Sequence, residues 1–326
     1  MAMRLRRHGE FEGAPDIRPL VWILAASAAV ELAILRTFTR TAIHIPDIEV
    51  LRTPYEVLTR GGEFAYFLTL CLLLPAGVAA VVALYRSGHP QWRLATFALL
   101  VFAVAWPLVD LGMVSSGALD VMTVASVLGL GAVILLASPA RQALPIGSFA
   151  MAYAASAFFT LAATGDRELS PGQQRALLNT AEVAAVAFAC TVPLLVSGAR
   201  DRFAVTVGVV TGLLVFGALL GNGATSRFLL LWNIGLSGSM PSFFYAASAG
   251  GLMYTILRAM RGGYPLVAAA LVLLVAGGIG LHSTYQSALV VVGLAAMASG
   301  LRAPCPRTEP AAAPLPAAVA AIPATR

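Results

Sequence analysis

The stretch Arg227–Arg258 reads RFLLLWNIGLSGSMPSFFYAASAGGLMYTILR. It is apolar enough to lie in a bilayer, yet it is 32 residues long. A continuous helix of that length would run about 48 Å, against a hydrocarbon core of about 30 Å. Near its middle lies Gly235-Leu236-Ser237-Gly238-Ser239-Met240-Pro241. Glycine loosens a helix, and proline removes a backbone hydrogen bond and clashes with the preceding turn. The sequence therefore predicts a membrane helix that is kinked, broken, or part in and part out of the bilayer near Pro241.

The composition around this stretch fits a bilayer. The chain has 326 residues, 59% hydrophobic and 11% charged, where a soluble domain carries about a quarter charged residues. The mean hydropathy is +0.84, and apolar runs of about 20 residues recur. Both point to an all-α polytopic membrane protein. All 21 basic residues are arginines, mostly at the ends of apolar runs or in the terminal segments. The net charge of +6 is thus a signal of topology and not a nucleic-acid footprint. The absence of lysine excludes a retinal Schiff base. Cys71 and Cys190 lie in apolar runs and Cys305 near the C-terminus, with no CxxC or Cys/His cluster to suggest a disulfide framework or a zinc site. An arginine-only, alanine-rich chain suggests a bacterial inner membrane.

Residues 1–18 are polar and arginine-rich, and the first apolar run is Leu20–Leu35. A signal peptide is the competing reading of this start. The long polar lead and the passage into Glu31 and Arg36, without a small-residue cleavage site, argue against it. Residues 37–62 form the longest connection, in which Ile43, Ile45, Ile48, Leu51, Tyr55 and Leu58 alternate with charges. Two readings stand there: a short amphipathic piece on the membrane surface, or a solvated loop. Further spans are expected over 64–85, 94–114, 118–137, 146–164, 176–197, 203–221, 227–258, 264–281 and 284–301. Counting the first, about ten spans are expected to occupy 19–301, followed by a disordered, Ala/Pro-rich cytoplasmic tail over 302–326.

Orientation follows from the arginines. With the N-terminus in the cytoplasm, fourteen fall inside and seven outside, the latter being Arg36, Arg40, Arg52, Arg60, Arg167, Arg175 and Arg227. The bias favours both termini in the cytoplasm and an even number of spans. Trp22, Tyr85, Trp92 and Tyr264 then gather at the cytoplasmic interface.

Charges within a membrane are costly, and each is a candidate for function. Glu31, Asp110, Asp120 and Glu182 all fall in the outer half of the bilayer in this topology. Asn179, Asn222, Arg227, Asn233 and His282 lie on the same side. The expected site is an outward-facing polar cluster of Glu31, Asp110, Glu182, Asn233 and Pro241, between spans one, three, six and eight. Against it, Asp110 and Asp120 also read as interfacial residues beside the turn Ser115-Ser116-Gly117, and Arg36 or Arg227 could neutralise a deep carboxylate structurally.

Transporters bind substrate where helices are broken near the midplane, and such breaks recur in inverted halves. Ten spans divide into five plus five. Span eight then matches span three, where Trp106-Pro107 precedes Asp110 by about one turn. A plain proline kink satisfied by neighbouring helices is the other reading. The glycines of span seven, Gly208, Gly212, Gly217 and Gly221, and of span nine, Gly277, Gly278 and Gly280, predict close helix packing.

His8, His44, His89 and His282 do not form the facing intramembrane pair that a haem would need, and no cofactor or metal is expected. In the first external loop, His44-Ile45-Pro46-Asp47-Ile48-Glu49 supplies an acid pair, Asp47 and Glu49. A cytoplasmic start, one span and an external loop with acidic residues resembles the layout of polytopic glycosyltransferases that use lipid-linked sugars. That resemblance implies an enzyme acting through this loop. No GxSxG, HExxH or P-loop pattern supports any other enzyme. Three functions are therefore expected in order: a small-solute or proton-coupled transporter, a structural or assembly subunit of a larger membrane complex, and the loop transferase. The implied partners are the lipid bilayer, a small solute and other membrane proteins.

Overall fold

The computed structural model describes residues 18–39, 49–86, 92–105, 108–109, 111–164, 169–196, 201–222, 242–278 and 284–302. Among these residues the chain is almost wholly helical and has no strand. The described residues form ten α-helices: α1 Arg18–Glu31, α2 Glu49–Arg86, α3 Trp92–Leu100, α4 Ser116–Ala137, α5 Ala140–Thr164, α6 Pro171–Thr191, α7 Arg202–Asn222, α8 Ser242–Arg261, α9 Pro265–Gly277 and α10 Thr284–Arg302. Two of them run on as π-helix, α1 into Leu32–Phe38 and α3 into Val101–Ala105. A 3₁₀ turn, Val192–Leu195, follows α6, with Pro193 early in it.

Among the described residues five helices are long and apolar enough to cross a membrane: Arg18–Arg36, Glu49–Arg86, Ser116–Leu136, Arg141–Ala162 and Pro171–Leu195. Three shorter apolar helices cover Arg202–Gly217, Pro265–Gly277 and Tyr285–Leu301. Local chemistry sets several ends. Ser115 caps α4 by accepting from the Ala118 N–H at 3.2 Å. Ser170 and Gln173 form a reciprocal capping box ahead of Pro171 on α6, which satisfies two otherwise orphaned groups.

The helices differ in places from the spans expected above. The connection 37–62 is shorter, because α2 begins at Glu49 and runs 38 residues without a break. Within this leading part the exposed Arg52 and Glu56 pair one turn apart at 3.1 Å. In the span expected over 94–114, regular α-helix reaches Leu100 and π-helix Ala105, and Trp106, Pro107 and Asp110 lie outside the described residues. In the opening stretch, α8 begins at Ser242, one residue past Pro241, and 223–241 lie outside the described residues.

α9 and α10 form the inner pair. α9 reads PLVAAALVLLVAG and is buried along most of its length; α10 is buried from Tyr285 to Gly300. α1 and α8 pack against α9, and α2, α3 and α4 against α10. Close contact needs small residues. A Cβ on Gly277 would meet the Gln286 carbonyl oxygen at 2.7 Å, and one on Gly293 the Ala270 carbonyl oxygen at 3.2 Å. α7 and α8 meet in the same way: Gly208 faces the Gly250 carbonyl oxygen at 2.8 Å and Gly212 that of Ala246 at 3.0 Å. Of the span-seven glycines, Gly208 and Gly212 thus mark a helix contact, whereas a Cβ on Gly217 would meet nothing within 4 Å. At the other end of this pair, Arg261 reaches back to Asp201 at 2.7 Å.

Candidate functional site

Glu31 closes α1 and is 4% exposed; Arg36 lies in the π-helix that follows and is 6% exposed. Arg36 Nε donates to Glu31 Oε1 at 3.0 Å and Nη2 to Oε2 at 2.7 Å. The π-helix explains this pairing. Residues of an α-helix advance about 100° each, so positions five apart point about 140° away from one another. The wider i→i+5 turn of a π-helix brings such positions over each other. The extra residue thus turns an arginine that would face away into a two-pronged partner.

Two other helices close the site. Tyr285, at the start of α10, donates its hydroxyl to Glu31 Oε2 at 3.4 Å. Its ring meets Tyr66 of α2 edge-on, with centroids 5.3 Å apart. Thr69, one turn along α2, lies 3.0 Å from Ser27 Oγ on α1 and donates to the Ala65 carbonyl at 2.7 Å. A Cβ on Gly62 would come within 2.7 Å of the Ile34 side chain, so α2 is drawn hard against the π turn. Ser27–Thr69 and Ile34–Gly62 contacts run in opposite chain directions, so α1 and α2 are antiparallel. The guanidinium has five N–H donors, and Arg36 Nη1 is buried with no hydrogen-bond partner among the described residues.

The other expected site residues are distributed differently. Glu182 is 1% exposed on α6 and has an interaction partner of its own. The main neighbours of α6 are α5 and α8, whereas those of α1 are α2 and α9. Asn179, three residues before Glu182, has its Oδ1 buried without a partner among the described residues. It lines a groove of about 880 Å³ with Leu135, Gly147, Met151 and Val183. Asp120 lies near the start of α4, and on α5 the Tyr153 hydroxyl donates to Ser287 of α10 at 3.2 Å. Asp110, Asn233 and Pro241, together with Asp47, His44, His282 and Arg227, lie outside the described residues.

A second groove, of about 950 Å³, runs between α7 and α8 and is lined by Pro193, Val209, Leu213, Phe243, Tyr254 and Arg258 among others. It reaches Phe243, two residues past Pro241, and its walls are almost wholly apolar. No group of three or more His, Cys, Asp or Glu capable of holding a metal occurs among the described residues.

Tyr285, Tyr66, Thr69 and Ser27 are site residues that the sequence did not single out. The available signal was the polar triplet Tyr285-Gln286-Ser287 opening an otherwise apolar span. No known protein family, curated protein or solved structure matches this chain.

Proposed function

We propose that the chain is a proton-coupled transporter of a small solute in the bacterial inner membrane, with about ten spans and both termini in the cytoplasm. One observation carries this reading: a carboxylate and an arginine are held together on a π turn, inside the contact of α1, α2 and α10. A buried ion pair costs several kcal/mol per ion in desolvation and is weak support for stability alone. In a membrane protein such residues mark proton relays and substrate paths. π turns are short interruptions that recur at functional sites. Tyr285 supports the role, since its hydroxyl serves either protonation state of Glu31, donating to the carboxylate or accepting from the acid.

The outward-facing cluster reduces in this reading to Glu31, Arg36 and Tyr285. Glu182 with Asn179 is a second polar position beside the groove on α6. Proton flux into proteoliposomes holding the purified protein tests the proposal. Glu31→Gln is expected to abolish flux while leaving a folded protein; unchanged flux would remove Glu31 from the mechanism.

A second reading, a subunit of a larger membrane complex, is supported by α2. At 38 residues it is about 57 Å long and outruns a core of about 30 Å. Its leading end exposes Val50 and Val57. Purification as a monomer in mild detergent would count against this reading.

A further inference from the structure

The geometry points to Arg36 as the binding group for a small monocarboxylate, admitted only when Glu31 carries a proton. The transport part of this rests on the function proposed above; the binding part stands by itself. Arg36 meets Glu31 through the edge formed by Nε and Nη2. The guanidinium is planar and has a second edge, formed by Nη1 and the remaining N–H of Nη2, of the same forked shape. Nη1 is the atom left buried without a partner among the described residues. A donor of this kind is costly to leave unmet, and a carboxylate is the group whose two oxygens fit the fork.

Charge decides when that edge can be filled. With Glu31 ionised, the pair is neutral, and an incoming anion would leave one uncompensated negative charge inside the bundle. Such a charge is strongly disfavoured away from water. With Glu31 protonated, Arg36 holds the only charge of the pair, and the anion restores neutrality. Proton and carboxylate therefore enter as a neutral couple.

Among the described residues no other charged side chain faces the pair. On its own element Glu31 faces Arg36. From α10 it faces Tyr285, with Tyr66 of α2 behind. Tyr55 of α2 lies against Phe38 further along, and Arg60 and Glu63 of α2 are exposed. α9, the remaining neighbour, has no titratable residue.

The test is isothermal titration of the detergent-purified full chain with sodium pyruvate and sodium acetate, at a series of pH values. Methyl acetate and sodium chloride serve as controls. The wild type is expected to bind the carboxylates and not the controls, with affinity rising up to about tenfold for each unit of acidification while one proton is taken up with the ligand. Glu31→Gln, which mimics the protonated acid, is expected to bind with little dependence on pH. Arg36→Gln is expected to lose about a hundredfold or more in affinity. Arg36→Lys, which keeps the charge without the fork, replaces it if that variant does not fold.

Wild-type binding that ignores pH, or the absence of binding by both wild type and folded Glu31→Gln, would overturn the inference. Glu31-dependent proton flux without carboxylate binding would sink the substrate class and leave the transporter. Carboxylate binding with the expected pH dependence, but no flux, would uphold this site and sink the transporter.

Discussion

Glu31 and Arg36 stand five residues apart and share two hydrogen bonds, at 3.0 and 2.7 Å, across a π turn. Their spacing would separate them by more than a third of a turn in a regular α-helix. The helix thus carries an irregularity at the place where it holds its buried charges.

Removing one member of this pair should cost about 3–5 kcal/mol, because the other is left buried and unpaired. Replacing both, with Glu31→Leu and Arg36→Met, should cost little or even stabilise, by up to about 4 kcal/mol. Thermal unfolding of the single and double variants measures this. The functional reading adds that the double variant, though folded, carries no proton flux. A folded double variant with full flux would show that the pair only packs.

Tyr285→Phe removes the hydroxyl 3.4 Å from Glu31 and keeps the ring against Tyr66. The expected loss of stability is about 0.5–1.5 kcal/mol, that of one hydrogen bond. A proton flux reduced much further than the lost stability accounts for would identify the hydroxyl as part of the relay. Flux equal to that of the wild type would exclude it.

The glycines of α7 separate sharply by position. Gly208→Val should unseat α8, since even a Cβ would lie 2.8 Å from the Gly250 carbonyl oxygen and 3.0 Å from Tyr254 Cβ. Gly217→Ala, into open space, should stabilise by about 0.5–1 kcal/mol by removing a glycine from the helix. Melting curves in detergent distinguish the two, and equal effects would mean that α7 and α8 do not meet as described.

Asn179→Leu addresses the unpartnered Oδ1 beside the groove on α6. Where the amide has no partner, its removal relieves about 1–3 kcal/mol of desolvation, and the variant should be as stable as the wild type or more so. Clear destabilisation would reveal a partner for the amide. Loss of proton flux in a stable variant would bring α6 into the mechanism.

The positions of the helices could be read closely from the apolar runs, because each run needs a helix to satisfy its backbone. Helix α2 escaped at its leading end. Glu49, Arg52, Pro54, Arg60 and the pair Gly61-Gly62 look like a connection, yet the helix runs through them; Pro54 removes one backbone bond near the end, where the loss is smallest. In the site, Glu31 could be read as a charge inside an apolar run, and Arg36 as one of two arginines able to meet it. The π turn that selects Arg36 leaves no mark in composition. Tyr285 was hidden for another reason: it lies 254 residues away from Glu31, and only the packing of α10 brings it there.

The buried inner pair has a consequence for the making of the protein. α9 and α10 leave the ribosome after every helix that packs around them. At 13 residues, α9 is about 20 Å long, too short to span the hydrocarbon core as a straight helix by itself. In a bilayer, the earlier helices would therefore hold an unfilled interior, or part again to admit α9 and α10. Assembly of this bundle is then completed from the inside, by its two most buried helices.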